Sequence, residues 1–127
     1  MEKRSLTARE FEALVKDAVR GLPLEFKRRL ENINIVIREE PSAGQKKAAG
    51  TGARGELLGL YEGVPLSERT HEYGNVLPDK VTVFRGPVMR SCRSRREMRA
   101  AVRDTVLHEF AHYFGISDEH MLEDGTY

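Results

Sequence analysis

The chain has a single cysteine, Cys92, in 127 residues. No internal disulfide can form, and that usage fits a reducing compartment. Cys92 is a poor nucleophile candidate because nothing places a histidine beside it, so a surface or half-buried thiol is expected. No apolar run approaches the roughly eighteen residues needed to span a bilayer. The opening Met1-Glu2-Lys3-Arg4-Ser5 leads into a charged amphipathic pattern, not the apolar core of a secretion signal. A cytoplasmic protein with no membrane partner and no pro-segment is therefore expected. Neither sign of charge dominates: 21 basic and 20 acidic residues leave a formal net charge of +1. That balance gives no global attraction to nucleic acid.

Hydrophobic residues make up 39% and charged residues 32% of the chain. This describes a single globular domain over residues 1–127 with one modest core and a well-charged surface. Residues 1–6 are expected to be disordered.

The most informative stretch is His108-Glu109-Phe110-Ala111-His112-Tyr113-Phe114-Gly115-Ile116-Ser117-Asp118. On a helix, residues four apart stack on one face, so His108 and His112 can present their imidazoles to one ion. Glu109 stands about 100° further round the axis, near enough to hold a water on that ion. Two imidazoles and an open position suit one zinc ion, which lowers the pKa of a bound water towards neutrality. The mechanical reading of H-E-x-x-H is a pair of metal ligands with the glutamate as general base. The plain alternative is a surface helix with two solvated histidines.

A catalytic zinc usually takes three protein ligands. Gly115 tolerates the left-handed conformation that ends a helix, so the chain can turn back beneath the metal. Asp118 is then the natural third ligand, with Glu119 and His120 as chemical rivals.

The pattern H-E-x-x-H-x-x-G-x-x-D resembles the zincin metallopeptidases, in a metzincin-like version with aspartate where a third histidine is usual. The short chain resembles the small bacterial group called minimal zincins, from about Thr7 onward. Gly63-Val64-Pro65-Leu66-Ser67-Glu68-Arg69 and Val81-Thr82-Val83-Phe84-Arg85-Gly86-Pro87 are the supporting pieces. The resemblance implies a zinc peptidase acting on a peptide or protein substrate, with His108, His112 and Asp118 on the metal and Glu109 as catalytic base. It also marks a departure. Larger metzincins carry a further subdomain and a methionine turn beneath the metal, whereas nine residues follow Asp118 here, and Met121 stands too close to serve as that methionine. A shallow cleft, or one completed by a second copy of the chain or by a partner, is the consequence, with weak or selective activity. The rival from another class is a metal-binding interaction module that keeps the site without hydrolysis.

The rest of the chain reads as an α+β, zincin-like fold. A small mixed sheet of about three to four strands packs on two to three helices, with the motif helix central. Thr7-Ala8-Arg9-Glu10 is a capping box, and Phe11, Leu14, Val15, Ala18 and Val19 follow at helical spacing up to Gly21. Pro23 opens a short helix to about residue 30. Ile33 to Glu39 is the best strand, with Ile33, Ile35 and Ile37 on one side, ended by Pro41. Residues 42–55 have no apolar period and read as a mobile loop. The glycines at 50, 52 and 55 lack the G-K-[ST] ending of a phosphate loop.

Residues 57–62 and 80–85 are further strands, with a turn at Pro78-Asp79 between them. His71 is a lone loop histidine. Ser94-x-x-Glu97 caps a helix from Arg95 to Phe114, some 30 Å long. Ala101, Thr105, His108 and His112 share its site face, and the remaining circumference is apolar enough to be buried. Arg96, Arg99 and Arg103 project opposite the histidines. With Arg90, Arg93 and Arg95 they read as a solvated stripe, not a phosphate grip, since no aromatics are interleaved to stack bases. A substrate strand would pair with an edge such as Val81 to Phe84. Tyr113 and His120 are the candidate oxyanion donors.

Overall fold

A computed structural model describes residues 5–28, 33–50, 56–63 and 79–113. The first helix, α1 (Ala8–Arg20), begins as its sequence dictates. Thr7 Oγ1 accepts the Glu10 amide at 3.1 Å while a Glu10 carboxylate oxygen accepts the Thr7 amide at 2.9 Å. Two of the amides that a helix start leaves without partners are thereby satisfied. Phe11, Val15 and Ala18 form its buried stripe. A single turn, α2 (Leu24–Lys27), follows Pro23 and is shorter over the described residues than expected.

The sheet has three described strands: β1 (Ile33–Arg38), β2 (Gly59–Glu62) and β3 (Asp79–Phe84), in the order β1-β3-β2. β1 runs parallel to β3, with Ile35 opposite Val81 and Ile37 opposite Val83. β2 runs antiparallel to β3, with Gly59 opposite Val83 and Tyr61 opposite Val81. Facing partners share a side of the pleat, so Ile33, Ile35, Ile37, Tyr61, Val81 and Val83 turn one apolar face to the helices. This order corrects the expected substrate edge: Val81 to Phe84 lie in the central strand, and β1 and β2 are the edges of the described sheet. Asp79 also proves to be the first residue of β3, not the tip of a turn.

Three further expectations change. Within 42–55, Ala43–Ala49 forms a helix, α3, with a complete capping box between Ser42 and Gln45. The alanines and lysines there are strong helix formers, and the absence of an apolar stripe left the helix without a periodic signal. No residue of α3 is buried, consistent with that missing stripe. Residues 51–55 lie outside the described set. Near the start, Leu6 is buried and its carbonyl accepts from Arg85, so order reaches back into the stretch expected to be disordered. Cys92, expected at or near the surface, is buried in the core cluster.

After β3 comes α4 (Arg85–Ser91), starting where Gly86-Pro87 end the strand, and then α5 (Arg95–Tyr113). Ser94 Oγ accepts the Glu97 amide at 3.1 Å, as a capping serine should. The Glu97 carboxylate reaches the Arg93 amide at 2.7 Å, so the box closes one residue earlier than expected. Met98, Val102, Val106, Phe110 and Ala111 are buried along α5, which packs against α1, α4, β2 and β3. The motif helix is central, as its apolar circumference implies. No helix among the described residues is long and apolar enough to cross a membrane.

Candidate metal centre

His108 and His112 lie one turn apart on α5, and their rings meet edge to face with centroids 4.4 Å apart. Both are half-buried, whereas Glu109 is only 7% exposed. Ligand atoms of His108, Glu109 and His112 all lie within 4.8 Å of one another. Nitrogen and oxygen ligands at about 2.0–2.2 Å from a tetrahedral ion sit roughly 3–4 Å apart, so this spread is within a small side-chain adjustment of a bound ion. A pair of imidazoles one turn apart suits zinc better than the harder ions, and the Glu109 carboxylate lies beside that pair. The residues present therefore fit the group.

Glu109 is held from both sides of the sequence. The Tyr61 amide donates to Glu109 Oε1 at 2.8 Å, and His112 Nδ1 stands 3.3 Å from the same oxygen. The ladder explains why that amide is available. The Phe84 amide bonds to the Leu58 carbonyl at 2.8 Å. Hydrogen-bonded and non-bonded pairs alternate, so Leu60 and Glu62 address β3 while Gly59 and Tyr61 direct their backbone groups outward.

Gly59 is where α5 comes closest to β2. A Cβ there would collide with Thr105 Cγ2 and stand 3.5 Å from Glu109 Cγ. Only a residue without a side chain admits the helix at that distance. The Tyr61 hydroxyl donates to Asp79 Oδ1 at 2.7 Å, and its ring meets Tyr113 edge-on at 5.7 Å. Gly63 closes the strand with φ +152, its missing Cβ leaving room for the Asp79 carboxylate.

The site face expected from spacing is present: Thr105 underlies the Gly59 contact and the two histidines follow it along α5. Tyr113, a candidate oxyanion donor, is 2% exposed and packed among core residues, so it does not face a cleft. Asp118, Glu119 and His120, along with His71, lie outside the described residues. Sequence reasoning missed Tyr61, Gly59 and Asp79. The only hint was a glycine inside a strand, which often marks close backbone approach.

The arginines do not assemble at the site. Arg90 spends its guanidinium on Glu40 and Glu56, with three contacts of 2.8 Å. Those hydrogen bonds hold both carboxyls below their usual range and raise the arginine further. Arg95 reaches Glu10 at 3.4 Å, and the Glu10 carboxyl is lowered first by its bond from the Thr7 amide. Arg96, Arg99 and Arg103 are exposed. At the opposite edge of the sheet from β2, an open groove of about 790 Å³ runs between α1 and β1, floored by Val15, Val19, Ile35 and Ile37. Among the described residues, no histidine or cysteine lines it.

Comparison with known proteins adds two findings. The family described as zincin-like metallopeptidase matches residues 30–126. A conserved hypothetical protein from Thermus thermophilus shares the fold, with a TM-score of 0.57 and 24% identity over 86% of this chain and 94% of that one. No curated protein matches.

Proposed function

We propose, from the premise that this chain belongs to the zincin-like metallopeptidase family, that it hydrolyses peptide bonds with one zinc ion. The observation that carries this reading is the convergence of His108, Glu109 and His112 within 4.8 Å on a buried helix. His108 and His112 would hold the ion, with Asp118 as the third ligand. When bound, zinc supplies a Lewis acid that polarises the scissile carbonyl and acidifies water. Glu109 takes the proton of the attacking water and delivers it to the leaving amine. The low exposure of Glu109 removes competing solvent from the carboxylate, and the Tyr61 amide fixes its direction.

The substrate would lie extended along the outer edge of β2, not β3. Strand addition needs outward backbone groups, and β2 offers those of Gly59 together with the Tyr61 carbonyl. One cysteine in the whole chain supports a reducing, cytoplasmic setting. The exposed arginines are compatible with ordinary surface solvation, and nucleic acid is not part of the reading.

The test combines zinc analysis with cleavage of unfolded casein and a peptide library. Wild type is expected to hold one zinc and cut. Glu109→Gln should retain the zinc and lose about 10²–10⁴-fold in rate, the range for removing a general base. His108→Ala and His112→Ala should each lose the zinc itself. Stoichiometric zinc with no cleavage, and Glu109→Gln indistinguishable from wild type, would instead favour a metal-binding interaction module.

A further inference from the structure

We propose that β2 positions the catalytic carboxylate: the backbone amide of Tyr61 holds Glu109 Oε1, so that the proton of the attacking water is taken at Oε2. This rests on reading Glu109 as the general base. Several observations meet at this point. The amide contact is 2.8 Å, to a side chain that is 7% exposed. A polar oxygen enclosed to that degree needs a hydrogen-bond partner, and the amide supplies one. The same oxygen already stands 3.3 Å from His112 Nδ1, so Oε1 is engaged twice.

Gly59, two residues earlier, has no Cβ to hold α5 away; an alanine there would run into Thr105 Cγ2 and meet the Thr82 carbonyl at 3.0 Å. The amide therefore lies within reach of Glu109 only because this strand position is bare. Tyr61 itself is tied down at its far end, where its hydroxyl donates at 2.7 Å to Asp79, which is 3% exposed. Its ring is also braced against Tyr113, the residue after His112. A strand anchored at ring, hydroxyl and ladder gives its amide a set position relative to the helix. Helix geometry alone leaves Glu109 about 100° from His108 in projection, and the strand amide supplies the remaining constraint.

Tyr61 is thus a positioning residue, and two measurements test the role. The first is made without metal or substrate, by following amide resonances in ¹⁵N-labelled protein. The Tyr61 amide proton should move upfield and lose exchange protection in Glu109→Ala, while amides on β1 stay in place. The second replaces the Tyr61 peptide N–H by an ester oxygen through an α-hydroxy analogue, which keeps the ring and hydroxyl. Casein-peptide turnover should then fall about 10–100-fold in kcat, the usual effect of losing a supporting hydrogen bond at a metal site, with KM and zinc content unchanged.

Gly59→Ala should show the same kcat loss, and adding Thr105→Ser, which removes the clashing methyl, should restore part of it. An unmoved Tyr61 resonance in Glu109→Ala overturns the inference, as does an ester variant with wild-type kcat. Failure of the peptidase reading looks different. There the zinc-loaded wild type cuts nothing, whatever the resonance does, and the base-positioning role falls with it.

Discussion

Of the glutamates among the described residues that accept a backbone amide, Glu10 and Glu109 differ most in how far away the donor lies. Glu10 takes the Thr7 amide at 2.9 Å, across three residues. Glu109 takes the Tyr61 amide at 2.8 Å, across forty-eight. The first contact belongs to an exposed helix start on α1, and it exists wherever that tetrapeptide turns into a helix. The second belongs to the interior of α5, where a carboxylate has no local backbone donor because the helix uses its own amides. It exists only once strand and helix have been brought together by the core. Nearly equal bond lengths thus conceal different dependencies. A local bond stabilises one element, while a distant one reports on the fold.

The sharpest way to break the comparison is to loosen the core under α5. Phe110 is fully buried beside Glu109, and Phe110→Ala should lower unfolding stability by about 3–5 kcal/mol, read from urea melts. It should also disturb the Tyr61 amide resonance while leaving the α1 cap intact. Next in size is Gly63→Ala. The φ of +152 and an Asp79 carboxylate oxygen in the path of the new Cβ make that site hostile to any side chain. A loss of about 1–3 kcal/mol is expected, in the range for a forced backbone conformation.

Thr7→Ala should cost about 1 kcal/mol, the ordinary value of an N-cap. Zinc content should not change, because nothing at the metal site depends on α1's first turn. The smallest effect is in acid. The Glu10, Glu40 and Glu56 carboxyls are all held below their usual value, Glu40 and Glu56 chiefly by hydrogen bonds from Arg90. A lowered folded-state pKa stabilises the fold above the unfolded-state pKa, and that contribution is lost as pH falls through the folded value. A shallow decline in melting temperature is therefore expected below about pH 4.3. Arg90→Ala should flatten it without touching activity; an unchanged slope in that variant would show that these exposed pairs contribute nothing.

Much of this was legible in the residues. The capping box of α1, the serine cap of α5, the β-branched run of β1 and the strand ended by Gly86-Pro87 depend on neighbours a few positions away. The metal pair is legible for the same reason, since His108 and His112 are related by helix geometry alone. The α3 helix escaped because it has no buried face, and periodicity detects burial, not helicity. The edge of the sheet was misread because strand order is a non-local property: Val81 to Phe84 looks the same on paper at an edge or at the centre. Asp79 and Tyr61 carried no local sign of each other.

From sequence alone came the chemistry: two imidazoles one turn apart, a carboxylate beside them and a helix apolar enough to be central. These follow from side-chain identity and a fixed rise per residue. What only the tertiary structure decided was the partner of that carboxylate. Placing Tyr61 against Glu109 required β2 to pair with β3, α5 to settle on the sheet, and a missing side chain at Gly59 to let them touch. Those are contacts between segments distant in the chain, set by packing and strand order, and no local pattern encodes their distance.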